Sequence, residues 1–87
     1  MDLAELQVFL TVAREGSFSR AAERLYRTQP AVSLAIRKLE DSLGQPLFVR
    51  GARPVRMTDA GTLLKEYAER LLNLAMKSKR ACWSWKG

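Results

Sequence analysis

The sequence predicts a mainly α fold: three helices around one core, a two-stranded hairpin, and a long C-terminal helix. Two patterns and one bound support this. Apolar residues recur at three- and four-residue spacings in four stretches, each preceded by a side chain suited to capping. Between the third and fourth stretch, residues 47 to 57 form two short strand-like runs about a Gly/Pro turn. The 87 residues, 47% of them hydrophobic, suffice for one compact core and leave no room for a second domain.

The first helix carries Leu3, Leu6, Phe9, Leu10 and Ala13 as one stripe. Asp2 can cap its start, Glu5 stands three residues on as in a capping box, and Gly16 ends it. A short second helix follows Ser17-Phe18-Ser19, where either serine can cap, and buries Phe18, Ala21, Ala22 and Leu25. The paired alanines let another helix axis approach closely. Tyr26-Arg27-Thr28 is a tight connection. Thr28 is placed to cap a third helix beginning near Gln29, and Pro30 is tolerated in the first turn, where its missing N–H costs nothing. Val32, Ala35, Ile36, Leu39 and Leu43 form the third stripe, with Gly44 as its stop. Residues 18 to 43 therefore read as a helix-turn-helix.

Leu47-Phe48-Val49-Arg50 and Val55-Arg56-Met57 flank the turn Gly51-Ala52-Arg53-Pro54. Two strands alone are marginal, so this hairpin must lean on the helices. Thr58 caps the last helix, on which Ala60, Leu64, Tyr67, Leu71 and Leu74 recur, widened by Leu63, Ala68, Leu72 and Ala75. That face is too broad for a hairpin to cover. The expected divisions are a compact domain over 1–58, a linker helix over 59–80, and a tail of unknown role over 81–87.

Fifteen Lys and Arg against nine Asp and Glu give a net charge of +6. The pI near 10.1 exceeds the level of about 9 that marks an electrostatic footprint for nucleic acid. Residues 1 to 19 carry three acidic groups against one basic, whereas residues 20 to 58 carry eight basic against three acidic. A solvated basic surface is the alternative. With Cys82 as the single cysteine and no histidine, disulfides within the chain, Cys/His metal sites and histidine-based catalysis are excluded, so neither an enzyme nor a cofactor is expected. No apolar run approaches the ~18 residues of a membrane span, and the acidic start lacks the features of a signal peptide, which points to the cytoplasm.

Removing the core positions leaves Gln29, Pro30, Ser33, Leu34, Arg37 and Lys38 facing outward from the third helix, with Gln29, Ser33 and Arg37 in one row. On a lone helix such a row reads more readily as a solvated face. After a short alanine-bearing helix and a tight turn, it reads as the leading face of a recognition helix entering a major groove about 12 Å wide. Gln29 can pair twice with adenine, Ser33 can donate or accept at several bases, and Pro30 can touch a thymine methyl. Arg20, Arg24 and Arg27 flank this helix where phosphates would run, positioning rather than specifying. Arg50, Arg53 and Arg56 surround the hairpin turn. Arg53 is the candidate for a narrow minor groove, Arg50 for a phosphate, and Arg56 is open to solvent or DNA.

The stretch from Phe9 through Gly61, above all AxxGSFSRAAERL from Ala13, TQPAVSLAIRKLEDSLGQPLFVR and VRMTDAG, resembles the amino-terminal domain of LysR-type transcriptional regulators. The resemblance implies a bacterial winged helix-turn-helix that binds double-stranded, palindromic DNA, with a recognition helix at 28–43 and a wing at 47–57. It places base contacts at Gln29, Pro30 and Ser33 and a wing contact at Arg53, positions the residues themselves also single out. Beside these, Arg20, Arg27, Thr28, Arg37 and Arg50 are the expected phosphate or wing contacts. It also implies a homodimer through the long helix, with Leu64, Tyr67, Leu71 and Leu74 as dimerisation positions. Leu34 departs from the polar or basic residue usual there. The family's chains continue into an effector-binding domain, so no small-molecule effector is expected for these residues. The tail with Cys82, Trp83 and Trp85 reads either as a foreign end or as an aromatic patch for a partner subunit. A different class of reading is a truncated protein-interaction module that pairs with another regulator through the long helix.

Overall fold

The computed structural model describes residues 1–85; Lys86, Gly87 and the Trp85 side chain, at the end of the expected tail, lie outside the described residues. Four helices follow in order: α1 (Leu3–Glu15), α2 (Phe18–Arg24), α3 (Gln29–Leu43) and α4 (Asp59–Trp85). Each begins at a capped donor. The Asp2 carboxylate accepts from the Glu5 N–H at 2.7 Å, Ser17 Oγ from Arg20 at 3.2 Å, Thr28 Oγ1 from Ala31 at 3.2 Å, and Thr58 Oγ1 from Gly61 at 3.1 Å. Of the two serines ahead of α2, Ser17 is the cap, because its extended backbone (φ −159°, ψ 132°) aims Oγ at the orphan donor three residues on. Gly16 and Gly44 close α1 and α3 in the left-handed conformation.

The end of α2 is less expected. Arg27 N–H donates to Ala22 O at 2.9 Å and Tyr26 N–H to Glu23 O at 3.2 Å, the hydrogen-bond pattern of a Schellman stop. Its left-handed position, normally glycine, is Tyr26 at φ 54°.

α1 is the central element, packed by α2, α3 and α4. Its buried arc is accordingly wider than one stripe: Val8 and Val12 join Leu6, Phe9 and Leu10 in the interior. Ala21, Ala22, Val32, Ile36, Leu39, Leu47, Phe48 and Ala68 complete the core. Leu3 and Leu43, expected inside, are 48% and 37% exposed, since each occupies a terminal residue of its helix.

The two-stranded hairpin is corrected. Among the described residues no strand forms, and the pairing is one antiparallel bridge, Phe48 to Met57. Val49 N–H donates to Arg56 O at 2.9 Å, but nearer the turn Pro54 has no N–H, and Val55 N–H turns away to Gly16 O at 3.1 Å. The ladder therefore stops after one step, and the body holds the hairpin. The Phe48 ring packs on Phe9 (5.3 Å between centroids) and edge-on to Phe18 (5.8 Å).

The junction of hairpin and α4 is tightly bonded. Thr58 donates its N–H to Leu47 O at 2.9 Å and its hydroxyl to Pro46 O at 2.6 Å, while capping α4. Leu47 N–H donates in turn to Glu40 Oε2 at 2.7 Å, tying the junction to α3. Gly61 lies so close to Leu47 that a Cβ would overlap its carbonyl oxygen and stand 3.1 Å from its carbonyl carbon.

α4 runs on through the first five residues of the segment set apart as a tail. Its apolar positions divide into two rows: Ala60, Leu64, Ala68 and Leu72 pack on this chain's own core, whereas Leu63, Tyr67, Leu71 and Leu74 are exposed. Among the described residues, no helix is long and apolar enough to cross a membrane.

Candidate nucleic-acid interface

The start of α2, the outer face of α3 and the hairpin enclose an open groove of about 1170 Å³. The caps at Ser17 and Thr28 set where both helices begin, and Pro30 in the first turn fixes the phase of α3. Gln29, Ser33 and Arg37, four residues apart, consequently line the groove from one helix face. Arg20 enters from α2, and Arg50 and Arg53 from the hairpin. Six of the nine expected DNA-contact residues thus share one concavity.

The other three stand beside it. Pro30 is exposed at the tip of α3, Arg27 at the preceding turn, and Thr28 uses its hydroxyl oxygen as the cap, which leaves the O–H free to donate. Leu34 is 51% exposed on the outer face. Arg24 pairs with the groove-lining Glu15 at 3.5 Å but does not itself line the groove, and Arg56 is exposed and does not line it either. Of the expected dimerisation positions, Tyr67, Leu71 and Leu74 share the exposed row of α4, whereas Leu64 belongs to the row packed on the core.

Four guanidinium groups line the groove against two carboxylates, and both carboxylates are engaged: Glu15 with Arg24, and Glu40 with the Leu47 N–H. Among the described residues, Arg20, Arg37, Arg50 and Arg53 form no ion pair. The groove is electropositive, with neutral hydrogen-bonding groups among its lining, a combination suited to a polyanion whose interior edges carry donors and acceptors.

Two side chains in this region escaped sequence reasoning. Ser19, weighed only as an alternative cap, donates its hydroxyl to Gln29 Oε1 at 2.9 Å across the helix-turn-helix. The single signal was a second serine left over once Ser17 took the cap. Glu40, in the body of α3, holds the hairpin's base through Leu47, and no spacing rule announces a contact seven residues apart between a helix and a loop.

Comparison with known proteins gives the same picture. The model of the bacterial regulatory helix-turn-helix protein, lysR family, matches residues 3–62. A probable RuBisCO transcriptional regulator of Synechocystis sp. is 47% identical over 79 residues, which is 91% of this chain and 23% of that protein. The HTH-type transcriptional regulator YxjO of Bacillus subtilis is 45% identical over 86 residues, 99% of this chain and 30% of the relative. The chain thus spans less than a third of the length of these two relatives. Among solved structures, the BenM_DBD complex with catB site 1 DNA superposes at a TM-score of 0.91 with 38% identity, covering 100% of this chain and 99% of that one. The CbnR_DBD–DNA complex superposes at 0.94 with 33% identity over the whole of both chains. Matched across helix-turn-helix, hairpin and the start of α4, the chain belongs to the LysR family of bacterial regulatory helix-turn-helix proteins.

Proposed function

We propose that this chain is the DNA-binding module of a bacterial transcriptional regulator, acting in the cytoplasm as a homodimer on palindromic double-stranded DNA and performing no catalysis. The observation that carries the reading is the electropositive groove that Gln29, Ser33 and Arg37 line together with Arg50 and Arg53. α3 enters the major groove by its first turns, with Gln29, Pro30 and Ser33 at base edges. Arg20, Arg27, Thr28, Arg37 and Arg50 meet the backbone, and the hairpin serves as the wing, with Arg53 toward the minor groove. DNA in the BenM_DBD and CbnR_DBD complexes, both matched over nearly their full length, supports this. The exposed row Leu63, Tyr67, Leu71 and Leu74 supports pairing of two α4 helices.

A DNA sequence selected by the chain from a random pool, and a scrambled version of it, should differ in affinity by about a thousandfold or more at physiological salt. Equal binding to both would refute sequence reading. Solution mass should report two chains, and Leu71→Glu should reduce it to one; a monomeric wild-type chain on DNA would refute the dimer.

A further inference from the structure

Gln29 reaches toward the groove, yet its amide is already bonded. Ser19, in the first turn of α2, donates its hydroxyl to Gln29 Oε1 at 2.9 Å, and both side chains line the groove. The two residues are ten apart in sequence and are joined only because α2 and α3 meet at the tight turn. Ser19 is not needed to start α2, since Ser17 caps that helix, and both Ser19 and Gln29 are exposed, so nothing in the core requires their bond.

A primary amide carries an acceptor and a donor side by side, and it can meet adenine's N6 donor and N7 acceptor together only if the end of the side chain is held at the right place. The Ser19 hydroxyl donates to Oε1 here and can accept from Nε2 if the amide turns over, so the bond holds the end of the side chain in place rather than choosing the order of its two ends. It uses one of the two lone pairs on Oε1, leaving the second lone pair and both N–H groups for a base.

We infer that Ser19 is a specificity-determining positioning residue, which holds the end of the Gln29 side chain in the groove so that its amide meets a base edge with little further ordering. The inference rests on the proposed base contact by Gln29. Without the hydroxyl, the amide must give up its rotational freedom and its hydration on binding, and it discriminates less well between bases.

The test is a double-mutant cycle in the full chain, on DNA selected from a random pool by the wild type, measuring Kd for that site and for each single-base variant of one half-site. Gln29→Ala should flatten the preference at one position, an adenine. Ser19→Ala should flatten the same position and weaken the selected site by about fivefold, the scale of one hydrogen bond. Ser19→Thr, which keeps the hydroxyl, should retain both affinity and preference, and Ser19→Ala should add no further loss to Gln29→Ala. Far-ultraviolet circular dichroism of Ser19→Ala should match the wild type, since the cap at Ser17 is untouched. If Gln29→Ala flattens one position while Ser19→Ala keeps the wild-type preference there, the positioning role is overturned and the base contact stands. A Ser19→Ala loss spread uniformly over all base variants, or persisting undiminished in the Gln29→Ala background, would assign Ser19 to the DNA backbone and also overturn it. If Gln29→Ala changes no base preference, both the contact and the positioning role fall.

Discussion

Gly61→Ala sets two effects of opposite sign against each other at the start of α4. Within an exposed helix the change stabilises by about 1 kcal/mol, because alanine loses less backbone freedom on folding. Here the added Cβ would overlap the Leu47 carbonyl oxygen and stand 3.2 Å from Met57 Cβ. The obstacle is backbone, pinned from both sides: Leu47 O accepts from Thr58 N–H at 2.9 Å and Leu47 N–H donates to Glu40 at 2.7 Å. Relief requires α4 to lift off the hairpin base, so the upper part of the usual overpacking cost, about 3 kcal/mol, applies. The net is a loss of about 2 kcal/mol, which for a domain of this size lowers Tm by roughly 10 °C. Thermal unfolding followed by circular dichroism at one fixed protein concentration measures it, the concentration being fixed because the proposed dimer would shift Tm by mass action. Asn73→Ala, at an exposed position of the same helix, is the control and should raise stability by about 0.5 kcal/mol. If Gly61→Ala also melted at or above the wild-type temperature, the close approach of α4 to Leu47 would not limit the residue at this position.

Glu40→Ala removes the acceptor of the half-buried Leu47 N–H and should cost about 2 kcal/mol, read from denaturant unfolding; a cost below about 0.5 kcal/mol would mean the bond contributes little. Tyr26→Asn places a residue tolerant of the left-handed conformation at φ 54° and should stabilise by about 0.5 kcal/mol, visible as a higher unfolding midpoint. An unchanged or lower midpoint would mean that the left-handed backbone costs tyrosine no more than asparagine at this position, since the Tyr26 ring is 97% exposed. Arg53→Ala should weaken DNA binding and flatten any preference for a narrow minor groove, whereas Arg37→Ala should reduce the slope of log K against log salt by about 1 with base preference kept. Identical behaviour of the two variants would contradict the division between wing and backbone contacts.

Helix starts were legible because a cap is a local transaction: Asp2, Ser17, Thr28 and Thr58 each satisfy a donor three residues on, within reach of any window. The row Gln29, Ser33, Arg37 was legible for the same reason, since Pro30 and the cap fix its phase. What misled was tertiary. Val55 has strand character, yet its N–H finds Gly16 rather than a cross-strand partner, so composition predicted two strands where one bridge exists. α4 reads as one broad apolar band, and only its packing on the core divides it, taking Leu64 inward and leaving Tyr67 53% and Leu74 62% exposed. Val8 and Val12 were passed over because a single stripe was assumed for a helix with neighbours on three sides. The bond between Ser19 and Gln29 joins residues whose separation follows no helical period.

The bonded junction at Thr58 has a mechanical side. α4 is 27 residues long, and its first turns are held where one threonine grips Pro46, Leu47 and Gly61 together. Its inner row stays on the core as far as Leu72, so the arm that projects is residues 73–85, about 20 Å at 1.5 Å per residue. A tilt of about 5° at the root of that arm sweeps its far end through only about 1.7 Å. Whatever grips the distant turns is therefore set at a fixed reach from the hairpin, through a joint stiffened by three hydrogen bonds and a residue with no room for a side chain.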